Sequence, residues 1–508
     1  SPFLFLKIIG RHSSTLISIL LLISPTMIYF SRFARNDIFV AFVSIILIFQ
    51  IFKYLNGGEG KKNLLLISIC LGLIFCIKEI SFIIIFIVGS FSLLFSSLNP
   101  LIKNKSKLNY KFTNIFSLLF LLSFPLSMPI TSFLFNFFEI NLVAPSDSLT
   151  KIGMPIGNNA IIISIIISIL SLLISCTFGL LKFKKNWIIF FLSFWFIFIF
   201  FHSTFFTNPF GMVTGFWQSL GYWIAQQDVA RGGQPWYYYF LLIVKFEYIG
   251  FFSFFIFLIY RKFKYSIFEL FLIYWAILNI FIYVITSEKM PWLLVNIILP
   301  FIFIGGILIN ELTEKILRSR LMLIFKINIL IIPSFFILLF IFNSVETNYV
   351  DSDKPDEMIV YTQTSKYVHL LSKEIITEIN QNNANILIDS SEGFTWPWAW
   401  YMRNHSINYF DSSNKETYKE IIFEDYDYIL INTYNFPKLL DSKENEIKYN
   451  SISQIPFRMW FPENYRFNSI KDFTSHLSKF ENISYLFGHI FKKEFSQNMG
   501  NVGLTILK

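Results

Sequence analysis

Charge is what this chain has least of. Only 15% of its 508 residues are Asp, Glu, Lys or Arg, whereas a soluble globular protein is nearer a quarter charged. Apolar residues make up 54%, and 64 residues are Phe. That balance excludes an ordinary soluble domain and predicts a polytopic α-helical membrane protein. Cysteine is also scarce. Cys70, Cys76 and Cys176 all fall in apolar runs, with neither a disulfide framework nor zinc-ligand spacing. Cys70 and Cys76, six apart, would face different directions on one helix. The six histidines are scattered, with no His-x-His or His-x-x-x-His pair. No basic segment with a cleavage site precedes the first apolar run. The sequence opens on Ser1, and a missing N-terminal fragment is expected. No internal repeat stands out.

The net charge of +9 is unevenly spread, roughly +14 over residues 1–348 and about −5 over the rest. Basic residues in a membrane protein mark cytoplasmic loops, so nucleic-acid binding is not expected. Apolar runs predict about eleven spans, each close to the roughly 20 residues a crossing helix needs. They lie at 13–30, 37–56, 63–78, 80–97, 113–134, 159–181, 187–203, 237–259, 266–286, 292–311 and 322–343. Alternate junctions carry Lys7 and Arg11, Lys61 and Lys62, Lys103 to Lys111, Lys182 to Lys185, Arg261 to Lys264, and Lys315 to Arg320. The positive-inside rule makes that face cytoplasmic. The domain boundaries follow as 1–348 for the multi-span domain and 349–508 for a C-terminal α/β domain outside the cytoplasm. In the latter, strand-like runs at 386–388 and 428–431 alternate with amphipathic helix patterns at 367–379 and 471–480.

Three charged interruptions then open on the outer face, where basic residues should be rare. The first is Arg32, Arg35 and Asp37. It reads as a snorkelling helix anchor or as a guanidinium pair awaiting an anionic partner such as phosphate. Asp37 is suited to orienting an arginine, holding a metal or assisting an acid–base step. The second is Lys78-Glu79, at a near-immediate chain reversal. It is either a local ion pair or a lysine aimed at lipid phosphate and tuned by Glu79. The third is Glu288-Lys289-Met290-Pro291-Trp292, where Pro291 suits a first helical turn and Trp292 an interfacial belt.

Between residues 216 and 239, aromatics followed by Gln226, Gln227, Asp228 and Arg231 suggest an interfacial helix. Gln227, Asp228, Arg231 and Glu288 are the candidates for lining an acceptor groove. Lys245 and Glu247 lie inside a span, where ionisable residues are functional candidates by default. Further on, Trp396, Trp398 and Trp400 suit either carbohydrate stacking or domain packing, and Asp425 and Asp427 are expected to be solvated.

These segments carry a resemblance. Ser-Arg-Phe-Ala-Arg-Asn-Asp (31–37), Lys-Glu (78–79), Trp-Gln-Ser-Leu-Gly-Tyr-Trp (217–223), Arg-Gly-Gly-Gln-Pro-Trp-Tyr-Tyr (231–238), Glu-Lys-Met-Pro-Trp (288–292) and Trp-Pro-Trp-Ala-Trp-Tyr (396–401) resemble the prokaryotic "flippase activity-associated" membrane proteins. Those are distant relatives of the dolichyl-phosphate-mannose–protein mannosyltransferases, with the GT-C fold of glycosyltransferase family 39. The resemblance implies a GT-C-like cell-membrane enzyme that moves sugar from a polyprenyl-phosphate carrier to an extracytoplasmic glycan or protein acceptor. It places the main base upstream of residue 1, with Asp37 and Glu79 as the catalytic candidates on this chain. Arg32, Arg35, Lys78 and Lys289 would hold lipid phosphate. Membrane lipid is the other partner. No cofactor is assigned, and a divalent metal is left open. The alternative is a flippase or flippase-accessory protein for lipid-linked glycans, without transferase activity.

Overall fold

The computed structural model describes residues 2–98, 106–146, 152–227, 229, 232–355, 357–414, 421–437, 451–461, 466, 470–477 and 500–507. Contacts divide the chain into two compact units, Ser1–Val350 and Asp351–Lys508.

The first unit is almost wholly helical. Seven of its described helices are long and apolar enough to cross a membrane. They are Asp37–Leu55, Gly60–Ile77, Asn158–Phe183, Lys185–His202, Ile267–Ile285, Pro291–Arg318 and the helix that starts at Leu323. Three further apolar runs, each expected as one span, are bent pairs. Arg11–Ile23 and Pro25–Arg32 meet at 56°, Lys107–Ser123 and Pro125–Phe138 at 66°, and Tyr238–Phe246 and Tyr248–Arg261 at 98°. Counting each bent pair as one span gives up to ten. Ser81–Leu98 is a further apolar helix.

Proline accounts for the first two bends, because it removes an amide donor and clashes with the preceding turn. At the first, the Ser24 hydroxyl caps the restarted helix by accepting from the Met27 amide at 3.2 Å. The third break has no proline. It falls at Glu247, whose φ and ψ of −132° and 30° leave the helical region.

The Pro291–Arg318 helix is the centre of this unit. Its most apolar stretch is 89% buried, against 6% for the helix that starts at Leu323. Arg11–Ile23, Tyr248–Arg261 and Ile267–Ile285 pack around it. Small residues let backbones approach, as membrane helices require. A Cβ on Gly306 would fall 2.4 Å from Ile17, and one on Gly179 would fall 2.0 Å from the Trp187 indole.

The interfacial helix expected across residues 216–239 is shorter than that. Helical structure runs through Phe210–Val213, a π turn at Thr214–Gln218 and Ser219–Gln226. The chain then leaves helix through Gly232 and Gly233, both at positive φ, and Pro235, before the next helix starts at Tyr238.

The second unit is a six-stranded mixed sheet with strands β1 (Gln363–Thr364), β2 (Ile386–Asp389), β3 (Asn408–Phe410), β4 (Tyr428–Asn432), β5 (Ile452–Trp460) and β6 (Gly500–Leu507). Their order is β1-β5-β6-β4-β2-β3. Strand β2 runs parallel to β3 and β4, while β6 is antiparallel to both β4 and β5. The helix Lys366–Asn382, capped by Ser365, contributes Val368, Leu371 and Ile375 to one core. Of the three tryptophans, Trp398 is fully buried and stacks on Phe457 at 6.0 Å, while Trp396 and Trp400 are exposed.

Candidate functional site

The site forms where four chain junctions of the first unit meet. Asp37 begins its helix, so its carboxylate sits at the positive end of the helix dipole. Lys78 follows the last residue of Gly60–Ile77, in extended backbone. The two side chains find each other. Lys78 Nζ donates to both carboxylate oxygens of Asp37 at 2.8 Å. Asp37 is completely buried, and Lys78 keeps 13% of its side chain exposed. Asn296, from the central helix, adds a long contact at 3.4 Å to the same carboxylate. Asn296 is itself held by the Asn279 amide, which donates to its carbonyl at 2.9 Å. Asn36 donates to Ile77 O at 3.2 Å and ties the two junctions together.

Arg35 is the second cation here. Its guanidinium stacks over Trp292 at 3.8 Å, a cation–π arrangement, and lies within electrostatic reach of Asp37. Its Nε is buried with no hydrogen-bond partner among the described residues. Such a donor is rare in a folded protein, because leaving it unmade costs roughly 1–3 kcal/mol or more.

Lys289 lies on the next junction, 6% exposed, and donates to Thr286 O at 2.7 Å. Burial pushes its ammonium below the ordinary value of 10.5. The segment after it is pinned by Tyr239, whose hydroxyl accepts from the Met290 amide at 3.1 Å and donates to its carbonyl at 3.2 Å. Gln227 caps the same junction by accepting from the Ser287 amide at 3.2 Å. A Cβ on Gly232 would fall 2.6 Å from Lys289 O, so the glycine loop lies directly against this segment.

The structure therefore gathers Asp37, Lys78 and Asn296 in one network and places Arg35 on Trp292. Glu288 is half-buried on the segment that Gln227 caps. Arg32 goes elsewhere. Its guanidinium donates to Asn348 O and covers the Tyr349 ring at 4.5 Å. Asp228 and Arg231 lie outside the described residues.

Glu79 is half-buried and lines a cavity of about 270 Å³ with Lys78, His202, Gln218 and Tyr222. Charge and spacing did not single out His202, Gln218, Tyr222 or Asn296. The first three lie on the two helices that wall the cavity, and Asn296 is a neutral amide in an apolar run. Trp292 was read as an interfacial anchor, and it serves as the platform under Arg35. Among the described residues no group of three or more His, Cys, Asp or Glu is placed to hold a metal ion.

A second polar knot lies where two helix breaks touch. Glu247 accepts from the Ser24 hydroxyl at 2.6 Å and from the Thr26 amide at 3.1 Å, and it is buried. In the C-terminal unit, Asp389 accepts from the Ser391, Ser412 and Asn432 amides and from the Ser391 and Ser412 hydroxyls. It thereby closes the loops that follow β2, β3 and β4. Compared with known proteins, the chain matches no family model and no curated protein.

Proposed function

We propose that this chain is a membrane glycosyltransferase of GT-C-like fold that takes a sugar from a polyprenyl-phosphate carrier and passes it to an acceptor outside the cytoplasm. One observation carries the reading. Arg35 holds a buried guanidinium Nε with no hydrogen-bond partner among the described residues, and both it and the Lys78 ammonium act on Asp37, at the ends of apolar helices. An anion delivered from the lipid phase would complete both groups. A guanidinium and an ammonium together suit a phosphate diester, and charge building on the departing phosphate would be met by donors already in place. Asp37 has both oxygens engaged by Lys78, so its part is to position that ammonium. Trp292 holds the guanidinium plane, and Lys289 is the next cation along.

The rival reading is a flippase or flippase-accessory protein. The broken helices joined at Glu247 favour it, because ionisable groups at discontinuous membrane helices serve transport sites.

The test is sugar transfer from a polyprenyl-phosphate donor by the full-length protein in liposomes. Lys78→Ala and Arg35→Ala should each lower turnover about 10²-fold, the scale of losing one charge-stabilising donor. Unchanged turnover in both variants, or translocation of donor with no glycosidic bond formed, would rule the transferase out.

A further inference from the structure

The cavity beside Lys78 holds a histidine that the site described so far does not use. His202 ends the Lys185–His202 helix. Its Nδ1 lies 3.0 Å from Phe198 O. A carbonyl only accepts, so Nδ1 carries the hydrogen, and Nε2 of the neutral ring is left as the acceptor. Nε2 makes no hydrogen bond among the described residues, and the ring lines the cavity. The ring is locked in place from both sides. It stacks on Phe198 at 4.0 Å, and a Cβ on Gly215 would fall 2.0 Å from its Cδ2. Only glycine at 215 lets the imidazole sit there.

The other walls have the chemistry of a polyol site. Glu79 offers a carboxylate, Tyr222 a hydroxyl, and Thr214 a hydroxyl oxygen whose hydrogen goes to Gly211 O at 3.0 Å. Gln218 donates one amide hydrogen to Ile152 O at 2.8 Å, which fixes the amide with its other hydrogen and its carbonyl still to offer. At about 270 Å³ the cavity falls just below the ~300–1,000 Å³ of small-molecule sites, so it suits a single sugar ring better than a chain. Lys78 forms part of the same wall, and its ammonium is fixed on Asp37.

We propose that this cavity binds a hydroxyl-bearing sugar acceptor and that His202 Nε2 takes the hydrogen bond of the reacting hydroxyl. Its binding half stands alone, and its catalytic half rests on the transferase reading. In that step the acceptor oxygen bonds to the anomeric carbon as the bond from that carbon to phosphate oxygen breaks. The electron pair leaves with the lipid phosphate, and the acceptor proton passes to Nε2. The ionisable groups sharing the cavity are Cys76, whose Sγ is 3.8 Å from Nδ1, with Lys78, Glu79 and Tyr222.

The experiment uses the full-length protein in detergent micelles with methyl hexosides as the probe. Saturation-transfer NMR should show hexoside contact in the wild type. Thr214→Trp, which fills the cavity, should abolish it, while Leu338→Trp on an exposed helix face should not. His202→Gln should keep the hexoside signal, which also reports that the variant is folded. Its single-turnover transfer should fall about 10²-fold or more and lose the acidic limb of the pH–rate profile. Gly215→Ala should move in the same direction by displacing the ring. No hexoside signal in the wild type, or a signal indifferent to Thr214→Trp, overturns the sugar site. Full transfer with an unchanged pH limb in His202→Gln overturns the proton-acceptor role. Hexoside binding in a wild type that never consumes the polyprenyl-phosphate donor upholds the sugar site and defeats the transferase reading alone.

Discussion

Breaking the Asp37–Lys78 pair from one side should be far costlier than breaking it from the other. Lys78→Met leaves a carboxylate with no exposed surface, held by the 3.4 Å contact from Asn296, a backbone hydrogen bond and the more distant charge of Arg35. Removing one partner of a buried pair costs ~3–5 kcal/mol, because the remaining charge is stranded. Asp37→Asn strands the lysine instead. Its side chain is 13% exposed and lines the cavity of about 270 Å³, so the ammonium can stay solvated, and the loss should be nearer ~1–2 kcal/mol. In the double variant no charge is left stranded, so its cost should fall below that of Lys78→Met alone by at least ~2 kcal/mol. Reversible unfolding in mixed micelles of increasing SDS content would measure all four proteins. Equal destabilisation by the two single variants, or a double variant as unstable as Lys78→Met, would refute this account. The same variants separate structure from function. Asp37→Asn keeps the ammonium and should retain polyprenyl-phosphate binding, whereas Lys78→Met should lose it.

Two further outcomes follow from groups outside that pair. Glu247→Leu removes the acceptor that joins two helix breaks and strands the Ser24 hydroxyl and the Thr26 amide. It should destabilise by about 2–4 kcal/mol, while Glu247→Gln, which keeps an acceptor oxygen, should cost less than half of that in the same unfolding assay. For Lys289, burial lowers the folded-state pKa below 10.5. Just below pH 10.5 the unfolded chain therefore binds a proton that the folded chain has released, and stability rises with pH. The melting temperature of the wild type relative to Lys289→Met should climb between neutral pH and about 10.5, its ordinary value, and a flat or falling difference would contradict the burial.

Helix positions were largely legible because lipid-length apolar runs are a one-dimensional signal. The ends of Asp37–Leu55 and Asn158–Phe183 lie within a residue or two of where hydropathy puts them. Bends were harder to read. Pro25 and Pro125 are visible in the sequence, yet the sharpest break falls at Glu247, which is bonded to another element and has no proline beside it.

The candidate site was legible as a set of charges in odd places, and its pairing was not. Arg32 and Arg35 look equivalent on paper. Ala34 at φ 54° turns the chain between them, so Arg32 stays on its helix facing Asn348 and Arg35 is delivered to Trp292. Asp37 was read as suited to orienting an arginine, holding a metal or assisting an acid–base step, and it clasps Lys78, 41 residues away, a contact fixed by the packing of two helices. Asn296 and His202 carry no signature in hydropathy, because one neutral polar residue barely alters an apolar run.

A buried ion pair is a poor way to hold helices together, since an apolar pair of similar volume does as well or better. What Asp37 and Lys78 supply is position. The carboxylate begins one helix, the ammonium follows the end of another, and the central helix sends Asn296 to the same point. Two junctions must be in register before the pair can form, and Asn296 adds a third element to the same carboxylate, so the ammonium is fixed before any ligand arrives. Arg35 is fixed in a different way, by a flat ring that satisfies its face and leaves its Nε without a partner among the described residues. Lys78 has two bonds made to Asp37 and one donor left, and Arg35 has an Nε without a partner among the described residues, which is the arrangement the proposed anion site needs.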